Sequence, residues 1–314
     1  MAEDEIAPDG AVTHAPEETR AGFAALIGVP NAGKSTLLNA LVGAKVSIVS
    51  RKVQTTRALV RGIAMEGVAQ IVLVDTPGIF APKRRLDRAM VHSAWSGAAD
   101  ADAVCLLVDA RKGADGEVEA ILRRLSDVKR PKILILNKID LIPRERLLEL
   151  AATLNAQVPF EDTFMISALN GDGVETLRKA LAKRMPPSPW LYPEDQVSDA
   201  PLRMLAAEIT REKIYDRLHE ELPYRSTVET DQWQGRPDGS VRIEQTIFVE
   251  RESQRSIVLG KNGQTIKAIG QAARIEIAEV AETKVHLFLH VKVRENWADD
   301  PARYREMGLE FPTG

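Results

Sequence analysis

Gly28-Val29-Pro30-Asn31-Ala32-Gly33-Lys34-Ser35 follows the apolar run 23–27 and opens the helically spaced segment 35–41. A strand, a glycine-rich turn and a helix in that order make a P-loop. Its glycines let the backbone wrap a phosphate chain, so that amide N–H groups and the helix N-terminus face the negative charge. Lys34 is expected to reach the β- and γ-phosphates, and the Ser35 hydroxyl to ligate Mg2+. The candidate phosphate-binding segment extends to Thr36.

Further apolar runs at 71–74, 104–108, 133–136 and 164–166 alternate with helically spaced segments at 118–125, 146–154 and 174–181. Short apolar strands alternating with helices predict an α/β fold with a mostly parallel sheet covered on both faces. Residues 58–65 run into 68–74 through Glu66-Gly67, which predicts a hairpin and one antiparallel edge strand.

Strand ends carry the rest of the chemistry. Asp75-Thr76-Pro77-Gly78 closes the third strand; an aspartate there can hold Mg2+, and Gly78 lets its amide approach a γ-phosphate. Asn137-Lys138-Ile139-Asp140 closes the fifth. The Asp140 carboxylate can accept two hydrogen bonds from the N1 and N2 edge of guanine; adenine has no such donor pair, and an unpaired buried acceptor costs about 1–3 kcal/mol. Ser167-Ala168-Leu169, after the sixth strand, matches the segment whose backbone amide touches the base oxygen. Four motifs in order, each at the carboxyl end of a strand, mark where such sheets bind ligands. Together they predict a P-loop GTPase domain using GTP/GDP and Mg2+.

Residues 50–57 form a candidate switch loop, with Thr56 (Thr55 as second choice) closing on Mg2+ and joining Lys34 and Gly78 as catalytic candidates. Residues 80–88 are the candidate second switch. Ile79 follows Gly78 where Ras-like proteins carry the glutamine that orients water, and isoleucine has no group for that task. Asn31, with switch-loop carbonyls, is the candidate replacement: it could hold a monovalent cation, K+, against the phosphates.

The 314 residues suit about two domains. A net charge of -3 confines nucleic-acid contact to a local patch, and no apolar run is long enough to span a bilayer. The single cysteine, Cys105, excludes a disulfide framework, fits a reducing cytoplasm and reads as a buried strand residue. The expected organisation is a disordered acidic tail over 1–20, a GTPase domain over 21–185, a Pro-rich linker over 186–200, and a smaller α+β domain with a C-terminal tail over 201–314. That second domain reads α-β-β-α-α-β, beginning with a helix over about 201–222 whose acids (Glu208, Glu212, Asp216, Glu220) are expected on a solvated face. Gly260-Lys261-Asn262-Gly263 joins two of its helices. In KH modules a GxxG loop clamps the backbone of about four nucleotides; a helix cap and turn is the plainer reading. Arg251, Arg255 and Lys267 are expected to widen the basic patch, while Ile257, Val258, Leu259, Ile266 and Ile269 supply core and groove floor.

The chain resembles the Era family of bacterial ribosome-assembly GTPases. The likeness rests on residues 28–36, 50–57, 75–78, 137–140 and 167–169, on Glu221-Leu222-Pro223-Tyr224 and Val249-Glu250-Arg251-Glu252, on 260–263 and on Trp297-Ala298-Asp299-Asp300. The resemblance implies a type II KH domain, binding of the 3′ end of 16S ribosomal RNA, and a role in 16S rRNA processing and 30S subunit biogenesis. It also implies a cytoplasmic protein found partly at the inner membrane; a monomer is expected. The acidic N-terminal extension has no counterpart in that pattern. Two rival readings are a GTPase whose second domain makes protein contacts, and a scaffold that binds nucleotide without hydrolysing it.

Overall fold

The computed structural model describes residues 18–312 apart from 51, 53, 54, 219–221, 296, 298 and 299. The expected acidic tail therefore lies, through residue 17, outside the described residues. Its last residue does not behave as tail: β1 begins at Arg20 and runs to Ile27.

Five strands enter one sheet in parallel: β1, β3 (Ala69–Asp75), β4 (Ala103–Asp109), β5 (Lys132–Asn137) and β6 (Asp162–Ile166). β2 (Val60–Glu66) pairs antiparallel with β3 at the edge, as the Glu66-Gly67 turn predicts, and the order is β2-β3-β1-β4-β5-β6. Every residue of β3 and of β4 is buried. Such strands are apolar throughout because α1 (Lys34–Val42), α2 (Arg85–Asp100), α3 (Gly116–Leu125), α4 (Arg144–Asn155) and α5 (Val174–Arg184) shield the faces. Cys105 is buried in β4, and burial pushes its thiol up to about 12.

α2 is a correction to the expected second switch, because residues 85–88 are its first turn. Asp87 accepts the amide N–H groups of Lys83 at 3.0 Å and Arg84 at 2.9 Å, which satisfies helix-start donors. The expected linker is pinned rather than free. Ala21 N–H donates to Pro186 O at 3.2 Å and Ile63 N–H to Val197 O at 2.9 Å, while the Trp190 indole donates to Val68 O at 3.0 Å.

The second unit runs α6 (Leu202–Arg217), β7 (Ser226–Gly235), β8 (Val241–Val249), α7 (Glu252–Leu259), α8 (Gln264–Val280), β9 (Val285–Val293). β8 is central, antiparallel to β7 and parallel to β9. α6 ends five residues before the expected Leu222, because Leu218 turns to extended backbone (φ -101°, ψ 149°). The expected C-terminal tail contains α9 (Pro301–Glu306). Trp297, Tyr304 and Leu309 bury against Leu86, Ala89 and Met90 of α2, so the chain's end packs on the helix that follows the nucleotide-site strand.

Candidate nucleotide site and RNA-binding loop

β1 ends where its neighbours β3 and β4 diverge, and the P-loop leaves the sheet there. Gly33 holds φ +104°, and a Cβ on it would lie 2.2 Å from Asn137 Nδ2, so no larger residue fits the turn into α1. Asn31 also has positive φ (63°). The buried Lys34 ammonium donates to the carbonyl oxygens of Gly28 and Val29, each at 3.1 Å. Burial pulls it down to about 8, against the opposing attraction of Asp75. Pro30, Asn31, Gly33, Lys34, Ser35, Thr36, Thr56 and Gly78 line one cleft. Val29 and Ala32 are buried beneath it.

Four oxygen-bearing side chains meet at its floor. Ser35 Oγ donates to Asp75 Oδ2 at 2.6 Å; Thr56 Oγ1 lies 3.0 Å from Ser35 Oγ and 3.2 Å from the same carboxylate oxygen. Ser47 Oγ, which sequence reading passed over, donates to it at 3.1 Å. Asp75 Oδ1 is buried without a hydrogen-bond partner among the described residues. Burial raises the Asp75 carboxyl, while Lys34 and the three hydroxyls oppose the rise. Hydroxyls and a carboxylate with a spare buried oxygen are the hard donor set that suits Mg2+. Thr55 also lines the cleft, but its hydroxyl bonds Lys52 O at 2.8 Å, and of the two threonines it is Thr56 that reaches the carboxylate. Arg51, Val53 and Gln54 of the candidate switch lie outside the described residues.

Neighbouring residues serve the frame. Thr76 Oγ1 donates to Leu26 O at 2.8 Å, Pro77 is buried, and Ile79 N–H donates to Gly28 O at 3.0 Å with its side chain buried. Isoleucine in that pocket can position no water.

At the other end of the cleft Asn137 ties three loops together. Its Nδ2 donates to Ala32 O at 2.9 Å, and its Oδ1 accepts from Lys138 N–H at 2.8 Å and Ala168 N–H at 3.0 Å. Lys138 Nζ reaches Asn31 O at 2.6 Å and Asp109 Oδ2 at 2.7 Å. Asp109 was not anticipated, although its place at the end of β4 parallels that of Asp75. Burial would raise its carboxyl, but hydrogen bonds from Arg111 and Lys138 outweigh that and hold it at about 2. Asp140 is exposed on a single helical turn; Ser167 is buried and Leu169 projects from its loop.

The GxxG loop joins α7 to α8 as expected. Gly260 has φ +71°, and a Cβ there would meet Thr265 Oγ1 at 2.1 Å. Lys261, Asn262 and Lys267 are exposed at it, with Gly263 half-buried, while Arg251 is exposed at the other end of α7. Arg255 is drawn aside, bonding Glu252 at 2.6 Å and Val291 O at 3.3 Å. Of the residues expected as core and groove floor, Val258 and Ile269 are fully buried, whereas Ile257 is 55% exposed on α7.

The two units meet through the switch loop. Ile48 is buried among Leu205, Ile209, Ile243 and Ile277 of the second unit. Arg57 is buried too, donating to Ser226 O at 2.9 Å and to the Tyr215 hydroxyl at 3.2 Å. Glu212 corrects the expected solvated face of α6: it is 4% exposed, accepts Val49 N–H at 2.7 Å and pairs with Lys45 at 2.7 Å. Its acidity serves the interface rather than solvation. Glu220 lies outside the described residues.

A phosphate-cradling loop on a mostly parallel sheet, followed by a GxxG loop on an α-β-β-α-α-β unit, defines a P-loop GTPase joined to a KH domain. Residues 23–138 match the family described as 50S ribosome-binding GTPase, and residues 221–298 match the KH domain. GTPase Era of Bradyrhizobium sp. (strain BTAi1) is 70% identical over 94% of this chain and 96% of its own length. GTPase Era of Brucella suis is 66% identical over 98% of both. The chain belongs to the Era family of GTPases. Two solved structures are similar at 38% identity and TM-score 0.88, covering 92% of this chain and 99% of theirs. One is a single-substitution variant of Aquifex aeolicus Era bound to GDP·AlF4−, the other an Era complex with MgGDPNP and nucleotides 1506–1542 of 16S ribosomal RNA.

Proposed function

We propose that this GTPase binds the 3′ end of 16S ribosomal RNA through its KH domain and acts in 16S rRNA processing and 30S subunit biogenesis, with the nucleotide governing RNA binding. The observation that carries this reading is the course of residues 55–57. Thr56 touches Ser35 and Asp75 on one side, while Arg57, the next residue, is buried in the KH unit on the other. Whatever orders Thr56 is thereby felt by the RNA-binding domain. The RNA complex of a 38% identical Era supports the choice of partner.

In this reading the P-loop backbone from Gly28 to Thr36 and the Lys34 ammonium hold the phosphates of GTP or GDP. Ser35, Thr56 and Asp75 would hold Mg2+, which supplies charge neutralisation on the phosphates when bound. The amide of Gly78 faces the γ-phosphate, Asp140 reads the guanine edge, and Asn137, Lys138 and the Ser167–Leu169 loop shape the base pocket. Asn31, lining the cleft beside Lys34, is assigned to a K+ ion in place of an arginine finger. Lys261 and Lys267 flank the GxxG loop for RNA phosphates, Arg251 extends the basic surface at the far end of α7, and Arg255 steadies that helix.

The protein is placed in the cytoplasm as a monomer. The inner-membrane association implied by resemblance is proposed as peripheral; no helix among the described residues is long and apolar enough to cross a membrane.

The test is RNA affinity measured with GDP and with a non-hydrolysable GTP analogue, using an oligonucleotide of the 16S 3′ end and a scrambled control. Tighter binding of the true sequence, changed by nucleotide, is expected. Equal affinity for both RNAs overturns the assignment.

A further inference from the structure

Asp75 Oδ2 gathers three hydroxyls, and only two of them belong to residues assigned to Mg2+. The third is Ser47, 3% exposed, which stands behind the cleft; Ile48, Val49 and Ser50 form the cleft wall on that segment. A buried serine hydroxyl needs an acceptor, and a nearby main-chain carbonyl commonly serves. Here the acceptor, at 3.1 Å, is a charged oxygen of the metal-site aspartate, which makes the bond a strong and directional one. Asp75 Oδ1 has no hydrogen-bond partner among the described residues, so Oδ2 carries the hold on this carboxylate. Ser35 and Thr56 are shared with the ion, whereas Ser47 serves the carboxylate alone.

The serine is itself held. Asn39 lies one turn beyond Ser35 on α1, so the two share a helix face. Its side-chain amide makes three hydrogen bonds to the segment after the helix. Oδ1 accepts from Val46 N–H at 2.9 Å and Ser47 N–H at 3.0 Å, and Nδ2 donates to Ser47 O at 2.8 Å. Both main-chain groups of Ser47 are thus tied to one side chain, which fixes where its hydroxyl points. The next residues are drawn the other way: Ile48 is buried in the second unit, and Val49 N–H donates to Glu212 Oε1 at 2.7 Å. Asn39 keeps residues 46–47 with the GTPase domain against that pull.

We propose that Ser47 is a positioning residue for Mg2+ binding: its hydroxyl fixes the Asp75 carboxylate, and Asn39 fixes Ser47. The inference rests on the assignment of Mg2+ to Ser35, Thr56 and Asp75. Hydrogen-bond partners that orient a metal-site carboxylate are typically worth about 10- to 100-fold in metal affinity, although they never touch the ion. Ser47 and Asn39 therefore act on how tightly the metal is held, and through it on the nucleotide, without contacting either.

The experiment measures binding of a fluorescent, non-hydrolysable GTP analogue to the full chain, across free Mg2+ concentrations and in EDTA. In the unaltered protein Mg2+ should tighten binding; indifference to Mg2+ would remove the metal assignment itself, and this proposal with it, before any variant is made. Ser47→Ala should need about 10- to 100-fold more Mg2+ to reach the same tightening, with its affinity in EDTA unchanged. That split separates positioning of a metal-site side chain from general damage to the cleft, which weakens binding in both conditions. Asn39→Ala should also raise the Mg2+ requirement. The double variant, Asn39→Ala with Ser47→Ala, should need no more Mg2+ than Ser47→Ala alone, because the two residues act through one contact. Binding in EDTA confirms that each variant is folded. An unchanged Mg2+ requirement in Ser47→Ala, an equal loss of affinity in EDTA, or additive effects in the double variant overturns the proposal.

Discussion

The guanidinium of Arg57 lies 5.5 Å from the centroid of the Trp297 ring, bringing a switch-loop residue of the GTPase domain against the last segment of the chain. That contact closes a loop of dependence. Trp297 also packs, with Tyr304 and Leu309, on Leu86 and Met90 of α2, so both segments flanking the Asp75–Gly78 turn and the P-loop cleft are covered by the second domain.

Arg57→Ala is therefore expected to loosen domain docking. The substitution removes a donor that the carbonyls of Ser226, Pro223 and Tyr224 and the Tyr215 hydroxyl share in a buried place. Leaving a buried acceptor without its donor costs about 1–3 kcal/mol. In calorimetry the variant should unfold earlier, with the two domains melting as separate transitions, while Arg57→Lys recovers only part of the loss because it lacks the planar fork. A melting profile like that of the unaltered protein would count against the coupling.

Asp109 leads to a prediction with a pH signature. Its carboxyl is held at about 2, below the usual 3.8, by Arg111 and Lys138 once burial is overcome. A depressed carboxylate contributes stability above its unfolded value, and that contribution fades as pH falls from about 4 toward 2. Asp109→Asn should thus lower Tm at neutral pH, with the gap to the unaltered protein narrowing below about pH 4. It should also weaken GDP binding by about ten-fold, since Lys138 loses its charged anchor beside Asn31. Thermal melts across pH and calorimetric titration of GDP check both halves.

What the sequence disclosed and what it withheld divide along a physical line. Gly28–Ser35, Asp75 and Asn137 are legible because their chemistry is local: a turn, a strand end and a few side chains at fixed spacing. Glu212 and Ile48 were not, since an acid on a helix and an apolar residue in a loop acquire meaning only when two domains meet. Helix α2 had a readable apolar spacing in Leu86, Ala89, Met90 and Ala94, but the basic stretch before it drew the reading toward a loop. Which of Ile257 and Val258 is core was not legible, because both are apolar and only the packing of α7 assigns Val258 to the interior. Asp109 could have been found by asking which other strand ends carry a carboxylate.

The GxxG loop allows two separable tests. Lys261→Ala removes one exposed charge without touching the fold, so RNA binding should weaken and its log-log salt slope fall by about one. Gly260→Ala acts differently: with φ at +71° and Thr265 Oγ1 at 2.1 Å from the new Cβ, the loop must shift. RNA binding should drop further than in Lys261→Ala, with the salt slope unchanged per remaining contact. GDP affinity should be unaltered in both, since the loop is remote from the cleft. Filter binding across salt concentrations, beside nucleotide titration, tells charge loss from loop distortion.

The remaining prediction concerns how hydrolysis proceeds with Ile79 buried and hydrogen-bonded through its backbone to Gly28. Without a glutamine to orient water, the developing charge on the phosphates needs another source of compensation. Asn31 stands at the cleft in a positive-φ conformation, its carbonyl held by Lys138 at 2.6 Å. A K+ ion placed there would supply one positive charge where the transition state gains negative charge, worth on the order of 10- to 100-fold in rate. Hydrolysis should accordingly run faster in potassium than in sodium at equal ionic strength, with GDP affinity unchanged between the salts. Asn31→Ala should remove the difference by slowing the potassium rate to the sodium level. If instead the two salts give equal rates in the unaltered protein, the cation has no part in the chemistry, and the compensation must come from Lys34 and the loop amides alone.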